Sequence, residues 1–167
     1  RHWGISNYSY DQIEKVISLG YVCSYQPQYS LLYRENQKSI DLCAKNNIGI
    51  LTYGSIAGGI LSGKYRTEED CPKDGRTQTY PFYHGEAFKK AMKLVDVLEM
   101  IANDHQKPIS HVAINWVNQQ PGITTSLVGM KTPEQAISNA EAGNWELSKE
   151  ELMLINSTYE KLFGDQQ

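Results

Sequence analysis

His2-Trp3-Gly4-Ile5-Ser6-Asn7-Tyr8-Ser9-Tyr10-Asp11-Gln12-Ile13 opens the chain and sets the reading of the fold. Residues 2–6 form a short strand-like run. Ser9 and Gln12 then stand at capping-box spacing, where a hydroxyl and a side-chain amide satisfy each other's backbone N–H groups at a helix start. Ile13, Val16 and Ile17 recur at helical spacing, and Gly20 supplies an expected left-handed stop. Strand, turn, capped helix and stop make one β–α unit. The pattern returns with strands expected at residues 21–25, 48–53 and 124–128. A helix carrying Ile40, Cys43 and Ala44 ends at Asn46-Asn47. Phe88, Ala91, Met92, Val95, Leu98 and Ala102 mark another, and one expected to be capped by Ser110 turns Val112, Ala113, Trp116 and Val117 inward. Thr132-Pro133-Glu134-Gln135 and Ser148 to Glu151 have capping-box form, the second opening a helix with Leu152, Ile155, Tyr159 and Leu162. Strand-then-helix alternation is the mark of a parallel α/β sheet. Four such units make either half of an eight-fold barrel or a small open sheet, and periodicity alone does not separate them.

The bulk numbers narrow the function classes. The chain has 167 residues, 40% hydrophobic and 21% charged, which suits roughly one domain. Its net charge is −3, with Lys and Arg scattered among acids, so nucleic acid is not an expected partner. The apolar runs fall far short of the roughly 20 residues that span a bilayer, and no membrane association is expected. Cys23, Cys43 and Cys71 are far apart and odd in number, which favours neither a disulfide framework nor a zinc site and fits a reducing cytoplasm. The chain begins at Arg1 with neither an initiator Met nor a signal-like segment, so it is expected to start inside a structural element, as part of a longer protein.

In a parallel α/β architecture ligands gather where strands end and helices begin, because loops converge there and helix N-termini present free N–H groups. Ser6, Asn7, Gln26, Tyr53, Gly54, Ser55 and the segment from Gly129 through Lys131 to Thr132 occupy such places. Ser6 and Asn7 offer a hydroxyl and a carboxamide able to grip an amide, yet the same pair serves equally as a turn into a helix. Gly58 to Tyr65 nearly spells the phosphate loop of nucleoside triphosphatases. Tyr65 replaces the hydroxyl that binds magnesium, however, and an acidic loop replaces the helix that must follow. A Gly-rich segment with one Lys can still lie against a pyrophosphate. Lys131 and Thr132 at a helix start put a cation, a hydroxyl and free N–H groups at one point, although an ordinary surface helix carries the same residues. His2, His84, His105 and His111 share no ligand spacing, and no nucleophilic triad or carboxylate pair stands out. A long loop, about 54–85, is expected to be functional or mobile.

Taken in order, five segments resemble the second half of the aldo/keto reductase family across essentially the whole chain. They are Gly4-Ile5-Ser6-Asn7-Tyr8-Ser9, Gln26-Pro27-Gln28-Tyr29-Ser30-Leu31-Leu32, Tyr53 through Lys64-Tyr65, Ala113-Ile114-Asn115-Trp116-Val117, and Val128-Gly129-Met130-Lys131-Thr132-Pro133-Glu134-Gln135 with Asn139. The resemblance implies a (β/α)8 TIM barrel whose fifth to eighth strands, with their helices, are residues 1–167. It also implies NADPH-dependent reduction of an aldehyde or ketone. Ser6, Asn7 and Gln26 would hold the nicotinamide carboxamide and Tyr53 would stack on its ring. Ser55, Ile56, Ala57, Gly59 and Lys64 would line the pyrophosphate beneath a strap formed by the long loop. Lys131 would meet the 2′-phosphate, and Thr132, Gln135 and Asn139 the adenosine, with Gly54 and Gly129 counted among the cofactor-binding residues. Ser55 stands where the family usually has Pro, Met130 where a smaller or hydroxyl residue is common, and Ser138 where an acid is common. The family's catalytic Asp, Tyr, Lys and His lie on its first four strands, so this chain is expected to hold cofactor without a proton donor and to pair with the missing half or with itself. A regulatory or binding protein that kept the reductase fold is the alternative.

Overall fold

The computed structural model describes residues 1–164. Four strands, β1 (Gly4–Ser6), β2 (Ser24–Gln26), β3 (Gly49–Tyr53) and β4 (Thr125–Leu127), form one parallel sheet in the order β1-β2-β3-β4. The helices are α1 (Tyr10–Leu19), α2 (Gln37–Lys45), the single turn α3 (Arg76–Thr79), α4 (Gly85–Asp104), α5 (Ile109–Asn118), α6 (Pro133–Glu141) and α7 (Lys149–Phe163). Each strand is shorter than the apolar pattern suggests, and β2 is also shifted, starting at Ser24 and pairing as far as Gln26 opposite Ser6. At β4 the reason is visible: the Ile50 N–H donates to Thr124 Oγ1 at 3.0 Å, so a side chain takes the place of the next backbone acceptor.

The sheet has two unlike faces. Ile5, Tyr25, Ile50 and Thr52 stand in register on one face and are buried under the helices. Gly4, Ser6, Ser24, Gln26, Gly49, Leu51, Tyr53, Thr125 and Leu127 occupy the other, where every one is exposed or only half-buried. Alternation along a strand explains how one sequence makes both faces, and all helices of the core pack on the first. α5 is the centre of that layer. His111 through Val117 are all buried, as befits a helix enclosed on every side, and α4 lays Phe88, Ala91, Leu94, Val95, Leu98, Ile101 and Ala102 against the core.

Local chemistry follows the sequence at α1 and α7, where both capping boxes close: Ser9 with Gln12, and Ser148 with Glu151. Three details differ. Gly20 ends α1 with φ 147° and ψ −163°, an extended backbone open to glycine, not a left-handed helical cap. Pro108, not Ser110, precedes α5, and Ser110 lies within its first turn. At α6 the Thr132 hydroxyl accepts the Gln135 N–H as expected, but Gln135 Oε1 takes the Lys131 N–H at 2.7 Å, one residue before the position a reciprocal box requires. The long segment 54–85 is also structured, with 3-10 turns at Ala57–Ser62, Glu68–Asp70 and Pro81–Tyr83 around α3. Among the described residues no helix is long and apolar enough to cross a membrane.

Candidate functional site

Three strand ends bring Ser6, Asn7, Gln26 and Tyr53 together. Asn7 follows β1 with φ 56°, a left-handed conformation that Asn tolerates better than most residues. That turn sends its backbone N–H to the Gln26 carbonyl at 3.3 Å and lets its Oδ1 accept the Tyr53 hydroxyl at 2.9 Å. Ser6 Oγ donates to the same Gln26 carbonyl at 2.9 Å. Beneath them Tyr25, fully buried, donates its hydroxyl to the Tyr8 carbonyl at 3.0 Å and pins the turn from behind; burial pushes its phenol up to about 12. Tyr53 is anchored at its backbone, donating to Pro27 and accepting from Tyr29 at 3.0 Å each.

Beyond Tyr53 the chain makes a β-turn, with Ala57 N–H donating to the Gly54 carbonyl at 2.7 Å. Ser55, at the second position of this turn, is 1% exposed and its Oγ has no hydrogen-bond partner among the described residues. Ile56 (φ −100°, ψ 17°) is then followed by three residues of positive φ: Ala57 at 47°, Gly58 at 69° and Gly59 at 112°. A right-handed residue followed by a left-handed one turns successive N–H groups toward one side, a concavity suited to an anion, although two N–H groups here are engaged within the turn, Ala57 on the Gly54 carbonyl and Gly59 on the Ile56 carbonyl at 2.9 Å. Ala57 has a Cβ and costs about 1 to 2 kcal/mol in this conformation, so its surroundings must hold it there.

The next residue, Gly58, meets the strap, residues 66–83, which no spacing in the sequence nominated. Gly58 is where it lands. The Tyr83 hydroxyl donates to the Gly58 carbonyl at 3.0 Å, and Arg76 Nη1 donates to the same oxygen at 3.3 Å and to the Tyr65 hydroxyl at 3.1 Å. Asp74 grips Arg76 at 2.8 to 3.1 Å, and the hydrogen bonds from Arg76, helped slightly by the charge of Lys131, hold the Asp74 carboxyl down at about 2. A Cβ on Gly58 would lie 2.7 Å from the Tyr80 ring, and one on Gly54 would be 3.6 Å from the Tyr80 hydroxyl. Lys64 is exposed, its ammonium 5.7 Å from the Tyr65 ring centroid.

The third group sits after β4. Gly129, Lys131, Thr132 and Gln135 are exposed, while Asn139 is half-buried and donates to the Gly129 carbonyl at 3.5 Å. Gln135 and Asn139 thus bracket the turn that presents the Lys131 side chain. Ser138 faces inward, with Oγ 3.0 Å from Nε2 of the buried His111. A separate groove of about 890 Å³ between the loop after β2, the strap and α7 contains Arg34, Phe82 and Tyr159 but none of the residues nominated from sequence. There the Arg34 guanidinium lies 4.5 Å from the Trp116 ring and 3.6 Å from that of Tyr159. Among the described residues no three His, Cys, Asp or Glu side chains converge as metal ligands.

A parallel sheet with polar groups at the carboxyl ends of its strands, and one face left without helices, is the arrangement of part of a β/α barrel. The profile of the aldo/keto reductase family matches residues 1–160. The chain belongs to the aldo/keto reductase family. Among its relatives, the aldo-keto reductase YhdN of Bacillus subtilis is 31% identical over 164 residues, covering 97% of this chain and 50% of the relative. An NADH-specific methylglyoxal reductase of Escherichia coli is 27% identical, covering 95% of this chain and 48% of its own length. The glycerol dehydrogenase AKR11B4 of Gluconobacter oxydans superimposes with a TM-score of 0.85 at 25% identity, covering 96% of this chain and 49% of that one. The chain spans about half the length of the curated relatives it matches.

Proposed function

We propose that residues 1–167 are the C-terminal, cofactor-holding half of an NADPH-dependent aldo/keto reductase that reduces an aldehyde or ketone. The observation that carries this is the meeting of Ser6, Asn7, Gln26 and Tyr53 from three strand ends, tied by the Tyr53 to Asn7 hydrogen bond. The donor set fits a nicotinamide carboxamide. With Asn7 Oδ1 occupied by Tyr53, its Nδ2 is left to donate; Ser6 Oγ, having donated to Gln26, keeps its lone pairs, and the Gln26 amide can supply either role. The Tyr53 ring supplies an apolar wall for the nicotinamide face.

The turn from Gly54 through Gly59 fits the pyrophosphate through those of its N–H groups not engaged within the turn, with the Lys64 charge close in sequence. Lys131, held at the start of α6, would pair with the 2′-phosphate that distinguishes NADPH from NADH. Gln135 and Asn139 position that turn and line the adenosine end together with Thr132. When bound, the cofactor supplies a hydride to the carbonyl carbon. This chain's own residues orient the ring and neutralise the phosphates. The proton for the carbonyl oxygen would come from a residue outside the chain, so residues 1–167 alone should bind cofactor and reduce nothing.

Titration with NADPH and with NADH, together with a carbonyl-reduction assay on the chain and on the full-length protein, tests this. Cofactor binding by both and reduction by the full-length protein alone is the expected result. Failure of the full-length protein to bind either dinucleotide would overturn it.

A further inference from the structure

We propose that Tyr83 is a positioning residue for phosphate binding: from the strap it holds the Gly58 carbonyl and so keeps the strained turn Ile56 to Gly59 in its anion-binding shape. The inference rests on the assignment of that turn to the cofactor pyrophosphate. Three consecutive positive φ values, one of them at an alanine, do not persist on local preference alone. Rotation of the peptide following Gly58 would change φ at Gly59 and undo the turn; its N–H end is held inside the turn, on the Ile56 carbonyl at 2.9 Å, and the side chains that hold its carbonyl end come from the strap.

Tyr83 is the firmest of them. It is fully buried, 25 residues from Gly58 in sequence, and its hydroxyl donates to the Gly58 carbonyl at 3.0 Å. Its ring meets that of Tyr65 edge-on at 5.9 Å, and Tyr65 in turn lies 3.4 Å from where a Gly59 Cβ would be. The Tyr80 ring fills the space a Gly58 side chain would need. Arg76 supplies a second donor to the same carbonyl, but it is partly exposed and reaches only 3.3 Å. The strap is therefore a buttress behind the turn as well as a cover beside it. Carbonyl and N–H are opposite ends of one rigid peptide plane, so a donor that fixes the Gly58 oxygen also keeps the Gly59 N–H on the Ile56 carbonyl and with it the closed shape of the turn.

Tyr83→Phe removes one hydroxyl and keeps the ring. The test, on the full-length protein, compares affinities for ADP and AMP, because their ratio isolates the second phosphate. The parent is expected to bind ADP several-fold more tightly than AMP. In Tyr83→Phe the ratio should fall by about 2- to 10-fold, the range of one net hydrogen bond, while AMP affinity stays within about twofold. A role limited to stability would lower the melting temperature and leave the ratio unchanged, and that result would overturn the inference. Hydrogen exchange at Ile56 to Gly59 is the companion measurement. Faster exchange confined to this turn in the folded variant supports the buttress; unchanged exchange refutes it even if the variant is less stable overall. A parent protein showing no advantage for ADP would instead defeat the pyrophosphate assignment, and this inference with it.

Discussion

The hydrogen bond between Tyr53 and Asn7 gives the proposed nicotinamide site its sharpest test. The bond is 2.9 Å long and joins a half-buried phenol to an exposed carboxamide. A neutral hydrogen bond is worth about 0.5 to 1.5 kcal/mol net, and exposure places this one in the lower half of that range. Tyr53→Phe should therefore weaken cofactor binding about 2- to 5-fold. Tyr53→Ala also removes the ring, at a cost of roughly 1 to 3 kcal/mol if the nicotinamide covers it, or about 5- to 150-fold in Kd. Asn7→Gly is the proper partner substitution, since φ 56° admits glycine and would strain alanine. Cofactor fluorescence titrations on the parent, Tyr53→Phe, Asn7→Gly and the double variant complete a cycle. The expected coupling is about 0.5 to 1 kcal/mol. Additivity within about 0.3 kcal/mol would show that the bond does not help shape the site, and unchanged affinity in Tyr53→Ala would remove Tyr53 from it altogether.

Lys131→Glu should abolish or reverse a preference for NADPH over NADH in the full-length enzyme, because it replaces the cation facing the extra phosphate; equal use of both cofactors by the parent counts against this placement of Lys131. Burial holds the His111 imidazole below its usual 6.5, so the unfolded state protonates first as pH falls. The stability from the neutral His111 is present above pH 6.5 and falls below it because the unfolded state takes up a proton that the folded state refuses, with a slope of at most about 1.4 kcal/mol per pH unit, until the folded imidazole protonates too. Thermal melts from pH 7.5 to 5 should be flatter for His111→Gln, and identical slopes would refute this origin. For residues 1–167 expressed alone, the β1 and β4 edges and the uncovered sheet face should drive self-association or pairing with the rest of a barrel. Sedimentation at low micromolar concentration that shows a compact monomer, active as a carbonyl reductase, would contradict this.

The helices were legible because their signals are local. Ser9 with Gln12 and Ser148 with Glu151 act within one turn, and both boxes form as written. The four strands of a parallel sheet were legible for the same reason, each unit announcing itself by one change of period, and so were the polar residues at the strand ends; their spatial order was not. Strand length was not, because whether Thr124 extends a ladder or caps it depends on where Ile50 lies, and those residues are 74 apart in sequence.

What the tertiary structure alone decided is how the nominated residues are held. Residue type and position marked Asn7 and Tyr53 separately, but only the register of β1, β2 and β3 joins them by a hydrogen bond. The glycines at 58 and 59 announced a turn. Nothing near them announced that Arg76, Tyr80 and Tyr83 would converge on it. A tyrosine in a loop reads the same whether its hydroxyl meets water or a carbonyl 25 residues away. That choice is made by the closing of the strap over the core, and a side chain's long-range partner is set by such packing, which local sequence does not encode.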